Sequence, residues 1–188
     1  LMYWQKNQQR NHQLHINMPE NWSEITTALE PFNKPGNVDF IAKDYDELVD
    51  SPLELSNQHV VNFEVLGKPH VMALYGASNY DDSVLVSDFT KIIEAETKIF
   101  GSLPYDHYSF IFHVEEGRGG LEHANSSVNF IRRWSFNDEK RYKSLLSLVS
   151  HEFFHTWNVK RIVPKGVASF DYNNENYLDE LWMAEGFT

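Results

Sequence analysis

Cysteine is absent from the 188 residues of this chain. Disulfide frameworks and thiolate metal sites are therefore both excluded. If the protein binds a metal ion, its ligands must be histidines and carboxylates. A composition without cysteine is also typical of a reducing compartment, so we favour the cytoplasm, and export is compatible with it as well.

Basic residues and long apolar runs are both scarce. The sequence has 16 Lys and Arg against 27 Asp and Glu, which gives a formal net charge of −11. Such a surface repels phosphate backbones and no basic stripe offsets it, so a nucleic-acid partner is not expected. No apolar segment approaches the ~20 residues that a transmembrane helix needs, so we expect no membrane span in this chain.

What the sequence does contain is enough apolar material for a core, in patterns that predict an α+β fold. Hydrophobic residues make up 41% of the chain. We interpret residues 1–83 as a β-rich, sandwich-like N-terminal domain that is only partly present. Polar and apolar residues alternate over His12–Met18 and Val60–Val65, and Gly67 supplies the turn of a hairpin that returns through Val71–Tyr75.

Helical patterns begin near residue 84, and we assign residues 84–188 to a second domain. Apolar residues there recur at helical spacing between capping and breaking residues. The predicted elements are a helix over Asp88–Phe100 capped by Ser87 and ended by Gly101, a strand over Tyr108–Val114, a buried helix from a cap at Asn137-Asp138 to Pro164, and a last helix over about 174–185.

The most informative motif is the HExxH pentapeptide His151-Glu152-Phe153-Phe154-His155. Two histidines four residues apart on a helix face the same way, with their Cβ atoms roughly 5–6 Å apart. One zinc ion can take a nitrogen from each, and the intervening Glu152 can act as the base of a metallohydrolase. The simpler interpretation, that these are ordinary core histidines, would leave buried polar groups without an obvious partner.

A zinc hydrolase needs a third protein ligand, and Glu185 is our candidate. It continues the apolar stripe of Leu178, Leu181 and Trp182, where an ionised carboxylate is costly unless a cation neutralises it. Glu180 is the rival, because it lies off that stripe. We instead expect Glu180 to accept a hydrogen bond from the free nitrogen of a ligating histidine.

A glycine-rich segment after the strand Tyr108–Val114 is a candidate for binding substrate. Gly119 and Gly120 would let a peptide backbone approach closely and pair with a sheet edge. Glu122 could then bind the free α-ammonium group of that peptide. The simpler interpretation is a plain glycine loop with a solvated glutamate, and the Gly-Gly pair alone favours it.

Longer motifs resemble the glycyl aminopeptidases, a family of gluzincin zinc peptidases in which many members carry a further PDZ domain. The resemblance covers most of the chain and reverses our interpretation of the Gly-Gly segment. It rests on His151-Glu152-Phe153-Phe154-His155-Thr156-Trp157-Asn158, Leu181-Trp182-Met183-Ala184-Glu185-Gly186-Phe187-Thr188, Gly119-Gly120-Leu121-Glu122-His123, Ser126, Asp44-Tyr45-Asp46, Leu48-Val49-Asp50-Ser51-Pro52 and Phe100-Gly101-Ser102-Leu103-Pro104-Tyr105.

The resemblance implies that residues 84–188 begin a thermolysin-like catalytic domain. It implies one zinc ion bound by His151, His155 and Glu185, with Glu152 as the general acid and base that acts on a zinc-bound water. The expected activity is removal of N-terminal residues, small ones such as Gly or Ala, from peptides with a free N-terminus. Related aminopeptidases usually have Asp where Glu180 stands, so its role rests on weaker support.

Two other functions remain open on the sequence. One is a zinc endopeptidase in which Glu122 does not bind an amine. The other is a binding module attached to a degenerate, inactive peptidase. Related gluzincins place an oxyanion-stabilising Tyr or His after the third ligand, and no such residue follows Glu185 here. We therefore expect this chain, as a fragment truncated after the third ligand, to have little activity by itself.

Overall fold

The computed structural model describes residues 7–32, 38–168 and 170–188, and they form a mixed α and β fold. The α+β class predicted from the sequence is therefore confirmed. The strands are β1 (His12–Ile16), β2 (Glu24–Thr27), β3 (Glu30–Pro31), β4 (Val38–Ala42), β5 (Leu53–Ser56), β6 (His59–Val65), β7 (Lys68–Tyr75), β8 (Tyr108–Glu115), β9 (Gly119–Glu122) and β10 (Ser126–Arg132), and the α-helices are α1 (Tyr45–Val49), α2 (Asp82–Phe100), α3 (Glu139–Phe154) and α4 (Leu181–Gly186).

The N-terminal part of the chain is β-rich, as its alternating pattern predicted. It forms two small antiparallel sheets, β1-β4-β3 and β2-β5. The second packs on the main sheet, where the Ser109 hydroxyl donates to the Thr27 carbonyl over 3.2 Å and the His113 ring lies 3.0 Å from the Glu54 carboxylate. This sheet therefore covers the face of β8 that the helices leave open.

The main sheet has five strands in the order β6-β7-β8-β10-β9. The predicted hairpin is confirmed: β6 and β7 pair antiparallel, and the turn residues Leu66 and Gly67 have φ of 52° and 74°. Two successive positive φ values match the right-handed twist of the strands they join. Strand β8 runs parallel to β7 and β10, while β9 pairs antiparallel with β10 and lies at the sheet edge.

The start of α2 differs from the prediction. The helix begins at Asp82 rather than Asp88, and its cap is Asp81 rather than Ser87. The Asp81 carboxylate accepts hydrogen bonds from the Ser83 and Val84 amides at 2.9 and 3.2 Å, which satisfies two amides that the helix itself cannot pair. Six further helical residues precede the predicted start, because this cap lies earlier in the chain.

The predicted domain boundary near residue 84 falls just inside α2. Strands on both sides of it, β6 and β7 before and β8, β9 and β10 after, belong to one hydrogen-bonded sheet. A division of the chain at residue 84 stays a prediction. What the structure describes is a continuous sheet that carries the β2-β5 sheet on one face and two long helices on the other.

Helices α2 and α3 pack against the sheet through a continuous apolar core. Phe153 is fully buried and its ring lies 5.1 Å from Tyr108 and 5.8 Å from Phe110. Burial of such aromatic side chains is a large part of what fixes α3 in one orientation. The buried core residues are Val65, Met72, Leu74, Leu85, Phe89, Ile93, Tyr105, Tyr108, Phe110, Phe112, Val114, Ile131, Leu145, Leu148, Val149, Phe153 and Trp157.

Both predicted helices near the end of the chain are shorter than expected. Asp138 caps α3 as predicted, but the helix ends at Phe154, ten residues before Pro164. The chain leaves the helix because Trp157 is anchored in the core and donates to the Ser102 carbonyl over 3.2 Å. The last helix is α4 alone, since the Asp171 side chain binds the amides of the preceding segment in a local turn.

Among the described residues, none of the helices combines the length and the apolarity needed to cross a bilayer.

Candidate metal and peptide site

The last turn of α3 brings His151 and His155 together. Their Nε2 atoms lie 3.2 Å apart, and the rings meet edge to face with centroids 4.7 Å apart. The side chain of His155 is 1% exposed and that of His151 is 33% exposed. The Nδ1 of His155 donates to the Asn158 carbonyl over 2.8 Å. Its Nε2 is therefore the unprotonated nitrogen, and the lone pair of this atom is directed toward His151.

The carboxylate of Glu185 joins this pair from α4. Its Oε2 lies 3.1 Å from the Nε2 of His151 and 3.7 Å from that of His155. Ligand atoms in a tetrahedral zinc site, with metal–ligand distances of ~2.0–2.1 Å, are separated by about 3.3–3.4 Å. The three atoms therefore have the spacing of three corners of such a site, and they could hold a metal ion.

The reasoning that singled out Glu185 was wrong about its surroundings. Leu181 and Trp182 are 56% and 68% exposed, and the Glu185 side chain is 48% exposed, so no apolar stripe of α4 is buried in the described structure. The carboxylate instead faces the pair of imidazoles. Two nitrogen lone pairs and a carboxylate at contact distance repel one another unless a proton or a cation lies between them.

Glu152 lies one residue beyond the first histidine and points toward β9. It is 4% exposed, and burial raises the pKa of its carboxyl to about 7, with a further contribution from the charges of Glu122 and Glu185. A proton donor and acceptor works best with a pKa close to the working pH. A cation bound at the neighbouring ligands would lower this pKa, because opposite charge favours the ionised form.

Gly120 is what allows Glu152 to occupy that position. A methyl group added at Gly120 would lie 2.1 Å from the Oε1 of Glu152 and 2.4 Å from its Cγ, far inside van der Waals contact. The backbone of β9 and the side chain from α3 therefore touch directly. Gly119 differs, because a methyl group there would meet nothing within 4 Å.

Glu122 completes the cluster from the far end of β9. Its carboxylate, that of Glu152 and a ring nitrogen of His155 lie within 4.8 Å of one another. The glycine-rich segment is an edge strand, with Gly119 opposite Phe130 and Glu122 opposite Ser127 on β10. Because only β10 pairs with β9 in the described chain, its other edge is open to an added strand.

Sequence reasoning missed the network that holds the chain just after β9. The Asp50 carboxylate accepts from the Lys160 ammonium at 2.7 Å, from the Ala124 amide at 2.8 Å and from the His123 ring at 3.2 Å. Burial alone would raise the pKa of Asp50, but these hydrogen bonds outweigh it and hold the pKa below its ordinary value. Asp50 therefore ties the end of the edge strand to the chain that follows α3.

Asn158 was missed as well, although it follows the HExxH motif by three positions. Its backbone carbonyl holds His155, and its side-chain amide reaches α4, where it donates to the Met183 and Ala184 carbonyls at 3.3 Å. It also donates to the Thr188 hydroxyl at 3.2 Å. One residue thus contacts both elements that carry the candidate ligands.

Glu180 occupies the N-cap position of α4 without a capping hydrogen bond from its side chain. The free nitrogen of His155 is taken by the Asn158 carbonyl, so Glu180 does not fill the predicted role for that histidine. A role of Glu180 toward His151 stays a prediction.

Comparison with protein families gives two matches. A family described as M61 glycyl aminopeptidase matches residues 144–188, and the M61 N-terminal domain matches residues 1–57. The first segment contains the HExxH motif and Glu185, and the second contains the β-rich start of the chain. The resemblance recognised in the sequence is thereby confirmed. A search of curated protein sequences finds no match.

Solved structures agree with the family matches. An aminopeptidase N family protein from Idiomarina loihiensis is similar over 95% of this chain, with a TM-score of 0.89 and 29% sequence identity. The chain spans 32% of that protein's length. A two-domain M1 zinc metallopeptidase crystallised with L-arginine is similar over 79% of this chain and 33% of its own, with a TM-score of 0.51 and 11% identity, which is a likeness of fold. The two family matches and the similarity to the Idiomarina loihiensis protein are similarities to peptidases.

Proposed function

We propose that this chain, which resembles the M61 glycyl aminopeptidases in both matched segments, carries the zinc site and the substrate-amine site of a zinc aminopeptidase. The observation that supports this best is the convergence of five side chains at one sheet edge. His151, His155 and Glu185 form a three-donor group, while Glu122 and Glu152 lie within 4.8 Å of His155.

The donor set fits zinc in both chemistry and spacing. Two imidazoles and one carboxylate are the ligands of many zinc hydrolases, and three protein ligands leave a fourth position open. The chemistry that a bound zinc ion supplies is Lewis acidity, which polarises a carbonyl and acidifies water. In the proposed site, His151, His155 and Glu185 hold the ion, and the Asn158 carbonyl fixes the ring of His155.

Glu152 is proposed as the group that moves the proton. Its buried carboxyl lies beside the three ligands and against the backbone of Gly120. From there it can take a proton from the attacking water and return it to the leaving amine. The contact with Gly120 leaves the carboxyl little room to move, so its position is set before substrate binds.

Glu122 is proposed to bind the α-ammonium of the peptide. Its carboxylate lies at the end of the open edge strand, close to Glu152. A peptide paired with β9 and anchored there by its amine would place its first carbonyl near Glu152. Cleavage would then release one residue from the N-terminus. A preference for Gly or Ala rests on the description of the family alone.

The test compares a free with an N-acetylated Gly-Ala peptide in the purified, zinc-supplemented full-length protein. We expect hydrolysis of the free peptide and little of the blocked one. Glu122→Gln should lower kcat/KM for the free peptide by ~10–100-fold, the value of a charge-assisted hydrogen bond. Glu64→Gln, the same change at an exposed position of β6 in the same sheet, is the control and should have no effect.

Glu152→Gln separates catalysis from metal binding. It should lower kcat by ~10²–10⁴-fold, the usual contribution of a positioned acid or base. Metal analysis should still find one zinc per chain, because the three ligands are unchanged. Equal cleavage of free and blocked peptides would point to an endopeptidase, and zinc binding without hydrolysis of either would point to an inactive binding module.

A further inference from the structure

A second recess lies beside the proposed site, at the opposite end of the edge strand from Glu122. It is a cavity of about 300 Å³ between the start of β9, the end of β10 and the first half of α3. Its apolar floor includes Ile131, Leu145 and Leu148, and the exposed ring of Trp134 forms part of its wall. None of these residues has a role in the proposed mechanism.

The rim of this cavity is basic in a chain of net charge −11. Arg118, Arg132 and Arg141 line it. Arg141 is paired with Asp138, its Nε lying 3.1 Å from a carboxylate oxygen. Within the described ranges, Arg118 and Arg132 make no ion pair, even though Glu115 lies opposite Arg132 in the strand register. Two guanidinium groups are therefore available to an anion from solvent.

The cavity and the catalytic cluster lie along the same two elements, α3 and β9. Leu145, Leu148 and Glu152 are spaced i, i+3 and i+7 on α3, so they follow one another along the same face of that helix. On the other wall, Arg118 immediately precedes β9, which runs past Gly120 to Glu122. The face of α3 and the open edge of β9 thus both lead from the proposed amine anchor toward the arginines.

The direction of a bound peptide follows from the proposed function. Its amine lies at Glu122 and its first carbonyl near Glu152, which touches Gly120, so the chain continues toward Arg118. A strand advances ~3.3 Å per residue, which puts the level of Arg118 about 7 Å beyond Gly120. The third or fourth residue of the peptide therefore reaches the basic cavity.

We propose that Arg118 and Arg132 form a subsite for a carboxylate at the third or fourth residue of the peptide substrate. This rests on the proposed aminopeptidase function, which supplies the direction of the peptide. The carboxylate can be the C-terminus of a tri- or tetrapeptide or the side chain of an acidic residue. Guanidinium groups bind carboxylates with paired, charge-assisted hydrogen bonds, and Trp134 adds an apolar wall for the chain that carries the anion.

The test measures binding of four peptides to the zinc-loaded protein carrying Glu152→Gln, which keeps the peptide intact. The peptides are Gly-Ala-Ala-Ala as free acid and as amide, and the amides Gly-Ala-Glu-Ala and Gly-Ala-Gln-Ala. The first pair probes a terminal carboxylate and the second a side-chain carboxylate. We expect at least one member that carries a carboxylate to bind about tenfold more tightly than its neutral partner, as for one charge-assisted contact.

The arginines are then removed in the same background. Arg118→Gln with Arg132→Gln should abolish the preference, and raised salt should weaken it in the unsubstituted background. Arg133→Gln, a change at the adjacent exposed arginine that does not line the cavity, is the matched control and should keep the preference. All three positions are exposed, so folding is not at risk.

The outcomes separate the subsite from the function on which it rests. Equal binding of acid and neutral peptides overturns the subsite, and so does a preference that survives loss of both arginines. Hydrolysis assays of the unsubstituted full-length protein run in parallel. If no peptide is hydrolysed but the arginine-dependent preference is found, the subsite is supported and the aminopeptidase activity is overturned.

Discussion

The two halves of the candidate metal site are built in different ways. His151 and His155 lie at the end of α3, which is fixed by aromatic packing of Phe153 in the core. Glu185 lies on α4, a helix of six residues in which only Ala184 is buried. The first half is therefore set by the fold, whereas the second is set by contacts with the first.

Those contacts are few and concentrated at one residue. The side chain of Asn158 donates to two carbonyls of α4, and the Glu185 carboxylate faces the two imidazoles. A short helix held in this way gains most from an ion that binds all three ligands, because the ion stabilises only the arrangement that brings them together. We therefore expect changes that move Glu152 to act on catalysis and changes that loosen α4 to act on metal affinity.

The largest effect on catalysis is expected where α3 meets β9. Gly120→Ala would put a methyl group 2.1 Å from the Glu152 carboxylate, so this side chain must move. A displacement of ~1 Å can lower the rate about 100-fold, and we expect a loss of kcat of this order with zinc affinity retained. Kinetic assay and metal titration provide the measurements.

Gly119→Ala is the matched control for that prediction. The added methyl group at Gly119 meets nothing within 4 Å and the backbone there needs no positive φ, so kcat should change little. Equal losses for the two substitutions would mean that flexibility of β9, rather than the position of Glu152, limits the reaction.

Sequence patterns predicted the first half of the site far better than the second. Helical spacing and the cap at Asp138 were enough to pair His151 with His155, because these depend on neighbours along the chain. Glu185 was the expected residue, but the buried stripe offered as its reason is not present. A local pattern shows which residues share a side of a helix, but it carries no information on whether that side packs against the core.

The contacts that position the site could not be predicted from local patterns. Asp50 binds Lys160 across 110 positions of the chain, and Asn158 reaches Ala184 across 26. Polar residues of this kind are common on surfaces, so neither stands out by composition. Their partners become apparent only when the fold brings distant segments together.

A smaller effect, on zinc affinity, is expected from Asn158→Ala. The substitution removes the side-chain bonds to α4 but keeps the backbone carbonyl that holds His155. Loss of a group that orients ligands typically weakens metal binding by ~10–100-fold. Competition with a chelator would measure this affinity, and the melting temperature of the metal-free protein would show whether the fold is unchanged.

Asn137→Ala serves as the control for Asn158→Ala, since Asn137 is exposed and precedes the cap of α3. Its zinc affinity should equal that of the unsubstituted protein. If Asn158→Ala also leaves zinc affinity unchanged, α4 is held by other contacts, and the contrast between the two halves of the site does not depend on this residue.

The smallest effect on the reaction itself is expected beneath the α3 half, where a substitution changes stability rather than catalysis or zinc affinity. Glu96 on α2 is 6% exposed, and one of its oxygens accepts from the Ser150 hydroxyl at 2.7 Å, while the other has no hydrogen-bond partner among the described residues. Burial raises the pKa of Glu96 to about 8. The folded protein therefore keeps this carboxyl protonated at pH values where the unfolded chain has released the proton.

The sign of the effect follows from this difference in proton binding. Below pH ~4.5 the Glu96 carboxyl is protonated in both the folded and the unfolded protein, so its burial carries no penalty. The free energy of unfolding then falls as the pH rises toward 8. Glu96→Gln should remove this fall in the free energy of unfolding. The size of the fall is at most roughly 1.4 kcal/mol for each unit by which the pKa differs between the two states. Denaturant unfolding between pH 4 and 9 tests this, with Glu64→Gln as an exposed control. If stability falls by the same amount in the Glu96→Gln protein, the Glu96 carboxyl is not the cause. If the fall in stability disappears, the core that fixes the histidines also accommodates a buried acid at a cost in stability.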